Sequence, residues 1–202
     1  ETAFLCGLAG TDWTWAIKLA DLDNDSRVDV FITNGASRMI TDADISITPQ
    51  MLVGKTEWEL WKEQPTMKEV NLAYRNKGDL QFEQTSKPWG LDHEGMSYSA
   101  AYGDLDGDGD LDLVVANIDE PTSIYRNLGH EVHRVVVRLA GAGSNRNGLG
   151  AVIEIESQAG KQIRQANPMT GFLSCNDDAV HFGLGQADMI DTLRVRWPSG
   201  QV

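Results

Sequence analysis

Asp21-Leu22-Asp23-Asn24-Asp25-Ser26-Arg27-Val28-Asp29 and Asp104-Leu105-Asp106-Gly107-Asp108-Gly109-Asp110-Leu111-Asp112 each set a carboxylate on alternate residues. Counting the first Asp as position 1, acids stand at positions 1, 3, 5 and 9 of both segments. So many like charges drawn toward one point repel strongly unless a cation sits among them. The donors are all oxygens, which suits a hard ion. Calcium accepts six to eight oxygens at about 2.3–2.6 Å, whereas magnesium keeps several waters and zinc favours His or Cys. Two calcium loops are therefore expected. The bland alternative is a pair of acidic surface turns, since Asp, Asn and Gly are ordinary turn residues.

The residues after the acids decide the architecture. A helix-loop-helix calcium site needs a bidentate Glu at position 12, but Ile32 and Val115 stand there. Val28-Asp29-Val30-Phe31-Ile32-Thr33 and Leu111-Asp112-Leu113-Val114-Val115-Ala116 read instead as buried strands. The loops thus join strand to strand. The candidate ligands are Asp21, Asp23, Asp25, Arg27 and Asp29 in the first loop and Asp104, Asp106, Asp108, Asp110 and Asp112 in the second. Arg27, at position 7, offers only its carbonyl. Asp29 and Asp112 close the loops from the first residues of the outgoing strands. Gly109 at position 6 suits a sharp left-handed turn, while the first loop has Ser26, so the second loop is the stronger candidate. Asn24-Asp25-Ser26 also fits a glycosylation acceptor pattern, but a glycan there would block the loop.

An offset of 83 residues superposes the two loops, their incoming strands and Asn34 on Asn117. Downstream, Tyr74-Arg75-Asn76-Lys77-Gly78 recurs as Tyr125-Arg126-Asn127-Leu128-Gly129, a strand ending in an Asn/Gly turn. Each unit reads strand, acidic loop, strand, connection, strand, turn, and repeats of this size indicate a propeller or solenoid. These residues resemble the FG-GAP, or VCBS, repeat family. The resemblance implies β-propeller blades with a calcium ion pinning the loop between the first two strands. Closed propellers need four to eight blades and two are visible, so the expectation is a fragment of a longer polypeptide, with closure by an oligomer partner as the alternative.

Residues 36–70 interrupt the first unit. Thr56-Glu57-Trp58-Glu59 is a capping-box pattern opening a short helix through Lys62, stopped by Pro65. Trp58 and Trp61 share a face of it, expected chiefly to pack on the blade, with a ligand or partner surface as the alternative. From His133 the composition changes. His133–Leu139, Ala151–Glu156 and Thr192–Trp197 alternate apolar and polar residues as half-buried strands do, with turns at Asn147-Gly148, Ala159-Gly160 and Pro198-Ser199-Gly200. This predicts a small antiparallel sandwich or barrel. Ser144-Asn145-Arg146-Asn147-Gly148-Leu149-Gly150-Ala151, Phe182-Gly183-Leu184-Gly185 and Arg196-Trp197-Pro198-Ser199-Gly200 resemble the ASPIC/UnbV domain of the cartilage acidic protein family and its bacterial homologues. These are mostly backbone-shaping residues, so they imply a fold more than a chemistry. The fold class expected is all-β: partial propeller blades with a helical insertion over residues 1–130, then a β-sandwich or barrel over residues 131–202.

The formal charge of the 202-residue chain is −13, which argues against nucleic acid and anionic membrane surfaces as partners. No stretch is long and apolar enough to span a bilayer. Cys6 and Cys175 could pair or stay free. No catalytic constellation stands out. His130-Glu131-Val132-His133 lacks metalloprotease spacing and reads as a linker. Gly141-Ala142-Gly143 is not at a strand-to-helix junction. Asn176-Asp177-Asp178 would suppress rather than activate Ser174-Cys175, and His93 and His181 read as ordinary packing or surface residues. The expected function is a non-enzymatic, calcium-stabilised interaction module outside the cell, at its surface or in the periplasm, with a protein or glycan partner. The rival, also carried by the family resemblance, is an enzyme or accessory factor of enediyne-type biosynthesis.

Overall fold

The structure is a computed structural model that describes residues 2–38, 48–129 and 131–202. His130 and residues 39–47 of the insertion lie outside the described residues. After a short helix α1 (Thr2–Leu5), the first sheet is built from β1 (Thr14–Ala20), β2 (Asp29–Asn34), β4 (Leu72–Gly78) and β5 (Gln81–Gln84), in that spatial order and antiparallel throughout. Its continuous Val-Phe-Ile run explains why β2 is buried along its whole length. In β1 the alternation is inverted in chemistry: Ala16, Lys18 and Ala20 point inward, while Ile17 and Leu19 are exposed.

Within the insertion, Thr56 caps α2 (Glu57–Trp61) and Glu59 completes the capping box, with Lys62 at the C-cap. The helix is where the sequence places it, but Trp58 stands 65% exposed rather than packed on the blade. A two-stranded ribbon, β3 (Glu69–Val70) with β6 (Glu94–Gly95), leads to a second antiparallel sheet of β7 (Ser97–Gly103), β8 (Asp112–Asn117) and β9 (Ser123–Tyr125). The two sheets enclose Phe31, Ala73, Leu91, Ala100, Leu113 and Val115 as a common core.

The C-terminal part is a separate β structure. β10 (His133–Val137) pairs with β13 (Val180–Gly185), and β11 (Val152–Ser157) runs between β12 (Gly160–Gln165) and β14 (Ile190–Arg196). Ile153, Ile155, Phe182 and Leu184 fill the space between these sheets. The described residues form no closed barrel. The chain is all-β apart from its short helices, as the sequence predicts.

The connection from β12 to β13 reaches back onto the N-terminal sheets. Lys18 Nζ donates to the Thr170 carbonyl at 2.5 Å and to Asn176 Oδ1 at 3.0 Å, and the Ala100 N–H donates to Ser174 Oγ at 3.2 Å. Phe172 packs against Trp15, with ring centroids 4.9 Å apart. The Lys18 ammonium is almost wholly buried, and burial pushes its pKa down to about 8.

Candidate metal centres

Both acidic loops leave the first strand of a sheet and enter the second, and they share most of their hydrogen bonds, although the first Asp accepts from positions 5 and 6 in the first loop and from positions 4 and 6 in the second. Asp21 accepts the N–H groups of Asp25 at 3.0 Å and Ser26 at 2.9 Å. Asp104 accepts those of Gly107 at 2.8 Å and Gly109 at 3.0 Å. Asp25 takes the Arg27 N–H, and Asp108 takes the Asp110 N–H, both at 2.9 Å. These Asx turns curl each loop around its own carboxylates. Positions 4 and 6 are left-handed in both: Asn24 (φ 59°) and Ser26 (φ 78°) adopt the backbone that Gly107 (φ 79°) and Gly109 (φ 90°) adopt. Ser26 therefore does not break the pattern.

The closing acids are anchored twice. Asp29 Oδ2 accepts the Leu22 N–H and Oδ1 the Asn76 N–H, each at 2.9 Å. Asp112 repeats this with Leu105 at 2.9 Å and Asn127 at 2.8 Å. The recurring Tyr-Arg-Asn segment thus does more than end a strand. Its Asn holds position 9, and its Arg holds position 3: Arg75 Nε lies 2.6 Å from Asp23 Oδ2, and Arg126 Nε lies 2.6 Å from Asp106 Oδ2.

One oxygen each from Asp21, Asp23 and Asp29 lies within 4.8 Å of the others, and the same holds for Asp104, Asp106 and Asp108. Oxygens on opposite sides of a calcium ion are about 5 Å apart, so both triads fit one. Their environments differ. Asp21, Asp23 and Asp29 are all buried, whereas Asp106 and Asp108 are exposed. Glycine content ranks the second loop first, and enclosure favours the first loop. Burial, reinforced by neighbouring Asp25 and Asp23, pushes the Asp21 carboxyl up to about 7, and burial does the same to Asp29 against the pull of its two N–H bonds. A cation in the loop would offset that cost. Asn24 Oδ1 is also buried in this loop with no hydrogen-bond partner. The donor set and the cost of burying it without a cation both fit a hard divalent ion.

The remaining candidates sit outside the triads. Asp25 pairs with Arg27 at 2.6 Å, and the Arg27 guanidinium turns outward to donate to the Asn76 carbonyl at 3.0 Å. The Asp110 side chain is held by Asn24 Nδ2 at 2.7 Å and Arg134 Nε at 3.0 Å, which leaves its carbonyl as the group to offer. Asn24 is 1% exposed, which is incompatible with a glycan on the folded chain. Cys6 and Cys175 are both free.

The C-terminal β structure closes over the loops, and nothing in the sequence pattern announces this. A Cβ on Gly183 would collide with the Asp21 carboxylate and the Asn24 backbone. The Gly185 N–H donates to the Asn24 carbonyl at 2.8 Å, Arg134 also donates to the Asp108 carbonyl, and His181 Nε2 lies 3.1 Å from the Gly109 carbonyl.

Residues 66–115 match the FG-GAP-like repeat family, and residues 141–202 match the family described as ASPIC and UnbV. The chain carries an FG-GAP-like repeat and an ASPIC/UnbV domain. The FG-GAP match includes the second acidic loop, and the first lies upstream of it. Cartilage acidic protein 1 of Xenopus tropicalis is 29% identical over 189 residues, 91% of this chain and 25% of the relative. The Mus musculus and Homo sapiens proteins of that name are 28% and 27% identical over the same length. The chain spans about a quarter of the length of these relatives. No helix among the described residues is long and apolar enough to cross a membrane.

Proposed function

We propose that this chain is a non-enzymatic interaction module whose two acidic loops each hold a structural calcium ion, acting outside the cell, at its surface or in the periplasm. The observation that carries this is the buried Asp21, Asp23 and Asp29 triad, three carboxylates kept from water at mutual distances suited to a single ion. In this reading residues 1–130 are two propeller blades and residues 131–202 the ASPIC/UnbV domain. The ions fix the turns between the first two strands of each blade, and Asp21, Asp23, Asp29, Asp104, Asp106 and Asp108 supply the first ligands. The partner is a protein or a glycan, and the exposed strand edges are completed by further blades of a longer chain or by an oligomer partner. A groove of about 270 Å³ beside the second loop, lined by Trp89, Leu113, Tyr125 and Leu128 with Arg126 at its side, supports a binding rather than a chemical role.

An ion that binds only the folded state stabilises it by mass action. At a hundredfold excess over Kd, two ions should raise the melting temperature by about 10–20 °C for a chain of this size. Differential scanning calorimetry of the chelator-stripped chain, with and without calcium, measures this, and isothermal titration should return two ions per chain. An unchanged melting temperature together with no calcium uptake would reject the reading.

A further inference from the structure

We propose that the two loops bind their cations as a coupled pair, so that filling either one raises the affinity of the other. The inference rests on the calcium reading above. Two hydrogen-bonded bridges join the loops. Asn24, at position 4 of the first loop, donates from Nδ2 to Asp110 Oδ1 at 2.7 Å, and both residues are almost wholly buried. Asp110 is position 7 of the second loop, so this bond helps aim the carbonyl that position offers.

The second bridge runs through Asn127. Its N–H donates to Asp112 Oδ1 at 2.8 Å, and its Nδ2 donates to the Leu22 carbonyl at 2.7 Å. Leu22 in turn donates its N–H to Asp29 Oδ2 at 2.9 Å. A continuous path of hydrogen bonds therefore connects the closing carboxylate of one loop to that of the other. The equivalent Asn76 serves its own loop, bonding Asp29 and the Val28 carbonyl. The bridge is thus an addition to the repeat's common pattern.

The sign follows from what an ion does. Ordering one loop fixes Leu22 and Asn24, or Asp110 and Asp112, which are groups the other loop must also order before it can bind. A second ion then meets less conformational cost. Repulsion between the ions is limited, because the first loop holds four carboxylates and the second five against two charges per ion, so each filled loop remains anionic.

The test is calcium titration of the chelator-stripped 202-residue chain, followed by calorimetry and by native mass spectrometry of the zero-, one- and two-ion species. The expected result is a one-ion species depleted below the value for independent sites, with a coupling factor of about tenfold. Asn24→Gly removes the first bridge without touching a triad carboxylate, and glycine already occupies the same left-handed position at Gly107. Asp110→Asn weakens the same bond by neutralising its acceptor. Each variant should still bind two ions while the coupling factor falls at least threefold. Independent binding in the parent chain overturns the coupling and leaves the calcium reading standing, and an unchanged factor in both variants overturns the part assigned to the Asn24 bridge. No uptake by the parent chain removes both.

Discussion

His181 sits on β13 with its ring against the second acidic loop, and burial, helped by the nearby Arg134 and Arg164 charges, pushes its pKa down to about 4. The neutral ring donates from Nε2 to the Gly109 carbonyl. The folded value lies below the unfolded value of about 6.5, so as pH falls the unfolded chain takes up this proton first. The stabilisation is complete above pH 6.5 and is lost toward pH 4, by about 3 kcal/mol. Asp21 and Asp29 run the other way. With folded values of about 7, they protonate first in the folded state of the ion-free chain, which gains stability from them as pH falls from 7 toward 4. The difference between parent and His181→Gln, rather than either curve, isolates the imidazole. Denaturant midpoints of the ion-free chain should show the stability of the variant relative to the parent rising as pH falls from 7 to 4. Parallel curves would mean that His181 does not stay neutral.

At the scale of elements, the strands and the acidic loops were legible because each is a local pattern: period-two alternation, a run of β-branched residues, carboxylates on alternate positions. The α2 cap was legible for the same reason, since Thr56 and Glu59 signal only to each other. The Tyr-Arg-Asn segment was visible as a repeat, but its purpose was not, because Arg75 acts on a residue 52 positions earlier. Contacts such as Asn24 to Asp110 or Lys18 to Thr170 cross larger gaps still and leave no periodic trace. The two arginines should differ in weight although their geometry matches. Arg75 meets an Asp23 side chain that is 5% exposed, whereas Arg126 is itself 65% exposed and meets an Asp106 that is 30% exposed. Losing a partner of a buried carboxylate costs more than losing one at the surface. Arg75→Gln should therefore lower the stability of the ion-free chain by about 2 kcal/mol, and Arg126→Gln by less than about 1 kcal/mol, as read from urea midpoints. Equal losses would show that burial does not separate the two ion pairs.

Across the whole molecule, the C-terminal sheets act as a cover for the two acidic loops, and the cover is uneven. Gly183 and Gly185 bring β13 backbone directly onto Asn24 and Asp21, while Asp106 and Asp108 of the second loop face solvent. An ion in the second loop can exchange by shedding exposed carboxylates. An ion in the first loop can leave only if β13 and the loop part locally, which breaks the Gly185 bond and exposes carboxylates that are 0–6% accessible. Local opening of packed β structure is far slower than side-chain motion at a surface. Mixing the calcium-loaded chain with excess fluorescent chelator should therefore release calcium in two phases, one ion in each. Asp106→Asn should remove or accelerate the fast phase, and Asp29→Asn the slow one. The slow phase should also quicken in mild urea, which promotes opening, while the fast phase changes little. A single phase, or a slow phase insensitive to urea, would mean that the C-terminal sheets do not govern access to the buried loop.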